Sequence, residues 1–161
     1  MTPWPSEVPA SSPERGARLR QLGATHVLSR IGGGDETAPK GYDVIVDIVA
    51  GADLASFFSR LNANGRLVSV GAVGGFPPPD FAGGLFGLFQ KSLTFSTFSG
   101  NTVAESVRRA MTAKLFALAA HGEVQTVRDE VLPLEQAESA HQRMQQGGAF
   151  GKLILAPSRR G

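Results

Sequence analysis

Short apolar runs and stretches of helical apolar spacing take turns along this chain. The strongest strand signal spans residues 43–49 (Asp-Val-Ile-Val-Asp-Ile-Val), nearly continuous and β-branched rather than alternating. That pattern predicts a strand covered on both faces, as in a parallel α/β sheet. Residues 65–71 (Gly-Arg-Leu-Val-Ser-Val-Gly) and 92–98 predict two more strands, with shorter ones at 25–29, 127–132 and 151–155. Helices are predicted at 12–22, 52–61, 81–90, 102–120 and 135–146. The first opens with a capping serine, Ser12, then Pro13 at the first helical position and Glu14 at the positive end. In the fourth, Val103, Val107, Ala110, Met111, Leu115 and Leu118 follow helical spacing. Strands alternating with helices across short loops predict a doubly wound α/β sheet over residues 12–157. Residues 1–11 read as an irregular arm, in which residues 7–11 form at most a weak strand because of Pro9. Residues 158–161 read as a tail.

Composition narrows the classes. The 161 residues suit one domain with a real core. A hydrophobic share of 42% with 19% charged residues fits a soluble globular chain rather than a disordered one. The pI is near 9.4, but the net charge is only +2. Apart from Arg108-Arg109 and Arg159-Arg160 the arginines are scattered, which argues against nucleic-acid binding. The absence of cysteine excludes disulfides, thiolate chemistry and a cysteine-built zinc site. His26, His121 and His141 fall on separate elements and form no metal set. No apolar run reaches the roughly 18 residues of a membrane helix, and the polar, proline-rich start does not read as a signal peptide. The expected compartment is the cytoplasm.

Four stretches, in order, then carry a resemblance. Ser12-Pro-Glu-Arg15 leads into Leu-Gly-Ala24; residues 43–49 are followed by Gly51; residues 65–71 form a Gly-Arg-Leu-Val-x-Val-Gly strand; and Leu132-Pro-Leu with Ala137, Ala140 and His141 precedes Gly151-Lys-Leu-Ile-Leu155. Over residues 6–157 the chain resembles the cofactor-binding half of the medium-chain dehydrogenase/reductase superfamily, in particular its zinc-independent quinone oxidoreductase branch. The resemblance implies a Rossmann-like sheet of strand order 3-2-1-4-5-6. It also implies NADPH as cofactor, no zinc, and hydride transfer to an activated alkene or quinone.

The same resemblance marks what is missing. The family's barrel-like catalytic domain, first strand, glycine-rich turn and first helix have no counterpart, so the chain reads as a truncated member. Residues 1–12 hold three prolines and no glycine, and no G-x-G-x-x-G joins a strand to a helix. That turn ordinarily brings backbone N–H groups to the pyrophosphate. Its strand lies in the middle of the sheet, so residues 43–49 are expected to have an open edge. Three routes could close it: the N-terminal arm, strand exchange in a homodimer, or a complementing chain.

The candidate site residues follow from these two readings. Ser12 and Arg15 sit where the family binds the 2′-phosphate of NADPH, a fitting place for a hydroxyl and a guanidinium; they read equally as a helix cap and a solvated arginine. Arg30 follows the next strand and adds a second cation or an ordinary loop arginine. Val70, Gly71 and Ala72, and Ser96, Thr97 and Phe98, follow strands at their C-terminal ends, where ligands of open α/β sheets lie. The resemblance places both stretches at the nicotinamide, and brings Lys152 toward the cofactor; Lys152 also reads as an exposed strand lysine. Asp47 reads as a bonding partner for backbone groups rather than a base. Phe76, Phe81, Phe86 and Phe89 read as core or interface. No catalytic acid, base or nucleophile emerges. Three functions therefore stand side by side. The chain reads as an NADPH-dependent quinone oxidoreductase or enoyl reductase needing parts from another chain. It reads also as a non-redox isomerase, dehydratase or cyclase using the old crevice for a small apolar substrate. The third reading is a non-enzymatic dimerisation or binding module.

Overall fold

The computed structural model describes residues 6–29 and 38–157. The chain divides between Ala104 and Glu105 into two compact units. In the first, β1 (Glu7–Ala10), α1 (Pro13–Gln21) and β2 (His26–Ser29) form a parallel βαβ unit. Next come β3 (Tyr42–Asp47), α2 (Ser56–Ser59), β4 (Leu61–Ser69), α3 (Gly83–Gly87) and β5 (Thr94–Thr97). Strands β3, β4 and β5 lie side by side in that order, all parallel. This is the Rossmann-like parallel arrangement expected from the apolar runs.

No ladder joins β1 to β3 among the described residues, so the parallel strands of this unit form two sheets rather than one. The interruption falls where the resemblance leaves a strand unaccounted for. Val44 and Val46 on β3 are 51% and 64% exposed, although their run has the composition of a strand buried on both faces. Strand β1 forms despite Pro9. His26 donates its N–H to the Ser6 carbonyl, and by alternation the Pro9 nitrogen faces away from β2. An edge that needs no donor is where a strand tolerates proline.

The first unit's core is built on α2 and β4. Leu54, Phe58, Leu61 and Leu67 are fully buried, with Ile45, Phe81, Leu85 and Phe95 packed around them. The Phe58 ring stands edge-on to Phe95 at 6.1 Å and stacks on Phe81 at 6.4 Å. Gly84 lets α3 approach, since a Cβ there would sit 3.2 Å from the Phe58 ring. Helix α1 packs on β2 in the same way: a Cβ at Gly16 would meet Val27 at 3.0 Å.

Several boundaries differ from the sequence reading. The helix expected at 52–61 shrinks to α2, preceded by turns, because the chain already enters β4 at Leu61. Strand β4 starts early and bulges: its register with β3 shifts between Tyr42↔Leu61 and Val44↔Arg66, and Asn64 turns to a φ of 62° to accommodate it. The phenylalanine cluster splits. Phe81 enters the core, whereas Phe76, Phe86 and Phe89 are exposed.

The second unit comprises α4 (Glu105–Ala120), β6 (Arg128–Pro133), α5 (Ala137–Gln145) and β7 (Lys152–Ala156), with β6 and β7 paired in parallel. Ala140 on α5 is buried. Arg143 on the same helix reaches back to β6 and pairs with both Asp129 and Glu130. No helix among the described residues is long and apolar enough to cross a membrane.

Candidate crevice at the carboxyl ends of three strands

Strands β3, β4 and β5 point their carboxyl ends in one direction, and the loops that follow them are bound together. The last rung of β3 and β4 pairs Asp47 with Ser69. Beyond it the Val70 N–H donates to the Asp47 carbonyl at 2.8 Å and the Gly74 N–H to the Val49 carbonyl at 2.7 Å. The Val73 N–H reaches the Ile48 carbonyl, and the Gly51 N–H returns the link to the Gly75 carbonyl. Residues 48–51 and 70–75 thus form one stitched pair of loops.

Glycine makes this approach possible. A Cβ at Gly71 would stand 2.8 Å from the Ile48 carbonyl oxygen, and one at Gly51 would stand 2.9 Å from that of Gly74. Gly51 also holds a φ of 73°, following Ala50 at 54°, a left-handed conformation that side chains resist. Gly71 is therefore more than a turn residue: it is small because another backbone lies against it.

The buried Asp47 carboxylate organises the first loop. One oxygen accepts the Val49 N–H at 3.0 Å and the other the Ala50 N–H at 2.7 Å. With both oxygens engaged by backbone donors, Asp47 shapes the turn, which is the backbone-bonding half of its sequence reading. Ser69 organises the second loop by donating its hydroxyl to the Gly71 carbonyl at 3.0 Å. The Phe98 N–H donates to the Ser69 carbonyl at 2.9 Å. Ser96 and Thr97 pair with Val68 and Ser69, so the stretches 70–72 and 96–98 are brought together. The rim is apolar, with Ile48, Val49, Val70, Val73 and Phe98 exposed.

The other candidates lie elsewhere. Ser12 caps α1 at the carboxyl end of β1, its Oγ accepting the Arg15 N–H at 3.3 Å. Arg30 falls outside the described residues. Lys152 opens β7 in the second unit, paired with Arg128, and donates its N–H to the Val127 carbonyl. Among the described residues no three His, Cys, Asp or Glu side chains gather as a metal site. Sequence reasoning missed Gly74 and the strained Ala50, and held Gly51 only as part of the resemblance, not as a site residue. The only local signal for them was a glycine shortly after each strand.

A family model described as zinc-binding dehydrogenase matches residues 22–155. The chain is 29% identical over 150 residues to a protein named NAD-dependent alcohol dehydrogenase from Sulfolobus acidocaldarius, covering 88% of this chain and 40% of that one. Its fold is similar to that of CurA from Vibrio vulnificus, with a TM-score of 0.76, 18% identity, and coverage of 95% of this chain and 49% of that chain. It is also similar to the yhdH oxidoreductase from Salmonella enterica in complex with NADP, at a TM-score of 0.70 and 16% identity, covering 94% and 46%. The chain thus spans less than half the length of each of these relatives.

Proposed function

Because the chain belongs to the zinc-binding dehydrogenase family, within the medium-chain dehydrogenase/reductase superfamily, we propose that its first unit is the nicotinamide-nucleotide side of a zinc-independent, NADPH-dependent oxidoreductase of the quinone or enoyl reductase kind. The observation that carries this reading is the stitched loop pair at the carboxyl ends of β3 and β4, with the end of β5 beside it. It presents backbone groups and an apolar rim at the place where open parallel sheets hold ligands. The residues do not fit zinc: the chain has no cysteine, and no metal cluster lies among the described residues.

This reading assigns residues to the two ends of the dinucleotide and none to its middle. Residues 70–72 and 96–98 would flank the nicotinamide. Ser12 and Arg15 would take the 2′-phosphate: with its oxygen accepting from Arg15 N–H, the Ser12 hydroxyl keeps its own hydrogen to donate. Arg30 would add a second cation. The pyrophosphate finds no cradle at the strand-to-helix turn after β3, since the Val49 and Ala50 N–H groups already hold the Asp47 carboxylate. When bound, NADPH would supply the hydride. The protein's part is to orient and to exclude water, and the partner we propose is a second copy of this chain or a complementing chain. The location we propose is the cytoplasm.

Titration of NADPH and NADH against the wild type and Arg15→Ala tests this. Loss of about tenfold in NADPH affinity with NADH unchanged supports the 2′-phosphate site. An equal loss for both, or none, removes it. One observation favours a second reading, a non-redox enzyme with a small apolar substrate: the rim formed by Ile48, Val49, Val70 and Val73 is apolar and exposed. Crevice binding of an apolar probe without any dinucleotide binding would select it.

A further inference from the structure

Asp47 is 6% exposed and is the charged side chain buried among the described residues. Buried carboxylates are retained only where their bonds are made, and here both oxygens are used within the next three residues. The turn they hold is not a relaxed one. Ala50 and Gly51 are both left-handed, a conformation that a side-chain-bearing residue such as Ala50 resists. From this turn the Ile48 and Val49 carbonyls and the Gly51 N–H bind residues 73–75. A carboxylate in β3 is therefore the anchor for the loop after β4.

We infer that Asp47 is a positioning residue for the crevice: it fixes the turn at 48–51 and, through it, the backbone of residues 70–75. This rests on the nucleotide reading given above for what the crevice receives, while the loop geometry stands independently. The opposite end of the same strand pair supplies a control. There the Asn62 side chain donates to the Asp43 carboxylate at 2.9 Å in an exposed contact.

The test compares the full chain with Asp47→Ala, Asp47→Asn and Asn62→Ala by amide hydrogen exchange and by NADPH fluorescence titration. Asp47→Ala is expected to speed exchange at Val49, Ala50, Val73 and Gly74 by about tenfold or more. Exchange in β1, α1 and β2 should stay as in the wild type, and NADPH affinity should fall by about tenfold. Asp47→Asn keeps one acceptor oxygen and should recover part of both effects, and Asn62→Ala should change neither. Wild-type exchange rates in residues 48–51 and 70–75 of the Ala variant would overturn the inference, as would a uniform rise across the unit or an Asn variant no better than Ala. If the wild type itself binds no NADPH, the nucleotide reading falls, and the exchange pattern alone decides whether Asp47 holds the loops.

Discussion

Asp47 and Ser69 face each other across the last rung of the β3–β4 ladder, and they are the two buried polar side chains among the described residues. Each spends its polar atoms on the loop ahead of it. Asp47 accepts from Val49 and Ala50, and Ser69 donates to the Gly71 carbonyl. The Ser69 carbonyl also receives the Phe98 N–H. One rung therefore sets the departure of three loops, all at the carboxyl ends of parallel strands. The polar groups are buried here because the loops need them, since an apolar pair could not direct backbone donors and acceptors.

Two glycines of this loop pair, Gly51 and Gly71, are predicted to resist replacement. In Gly71→Ala the new methyl would press on the Ile48 carbonyl, and the stitched loops would have to part. The expected cost is about 1–3 kcal/mol in urea denaturation, with a matching loss of nucleotide affinity. Gly51→Ala adds a left-handed side chain to a similar clash and should cost at least as much. Gly75, whose added Cβ would meet nothing within 4 Å, should pay only for its positive φ.

Phe58 should be the most sensitive core position. It is fully buried and touches both Phe81 and Phe95. Phe58→Ala should lower stability by about 3–5 kcal/mol, measured as a shift in the urea midpoint at unchanged slope. The exposed Phe76→Ala should stay within about 0.5 kcal/mol of the wild type.

The open edge of β3 should drive association. Val44 and Val46 are exposed on a strand with no ladder on that side among the described residues, and such edges pair with other chains. Sedimentation velocity should show a species heavier than the 16.9 kDa monomer at micromolar concentration, and Val46→Lys should shift it toward the monomer. A wild type that stays monomeric across that range would exclude both strand exchange between copies and pairing through this edge.

The strands and the capped helix α1 were legible because their signals are local. Residues 43–49 carry a β-branched run, and Ser12-Pro13 marks a helix start wherever it lies. Strand ends could be ranked as a site by the crevice rule alone. The early start of β4 was not legible, because its bulge depends on register against β3. Strand β1 looked weak because Pro9 counts against a strand until one knows which edge its nitrogen faces. The phenylalanines of residues 76–89 gave no periodic signal that would separate Phe81 from its exposed neighbours. Gly51, Gly71 and Gly74 matter through what lies opposite them, and a linear sequence does not show that.

The nucleotide reading stands most directly on calorimetric titration of the wild-type chain with NADPH. A saturable isotherm in the micromolar range, weakened in both Gly71→Ala and Arg15→Ala, is the predicted result. No heat of binding at millimolar NADPH would contradict it.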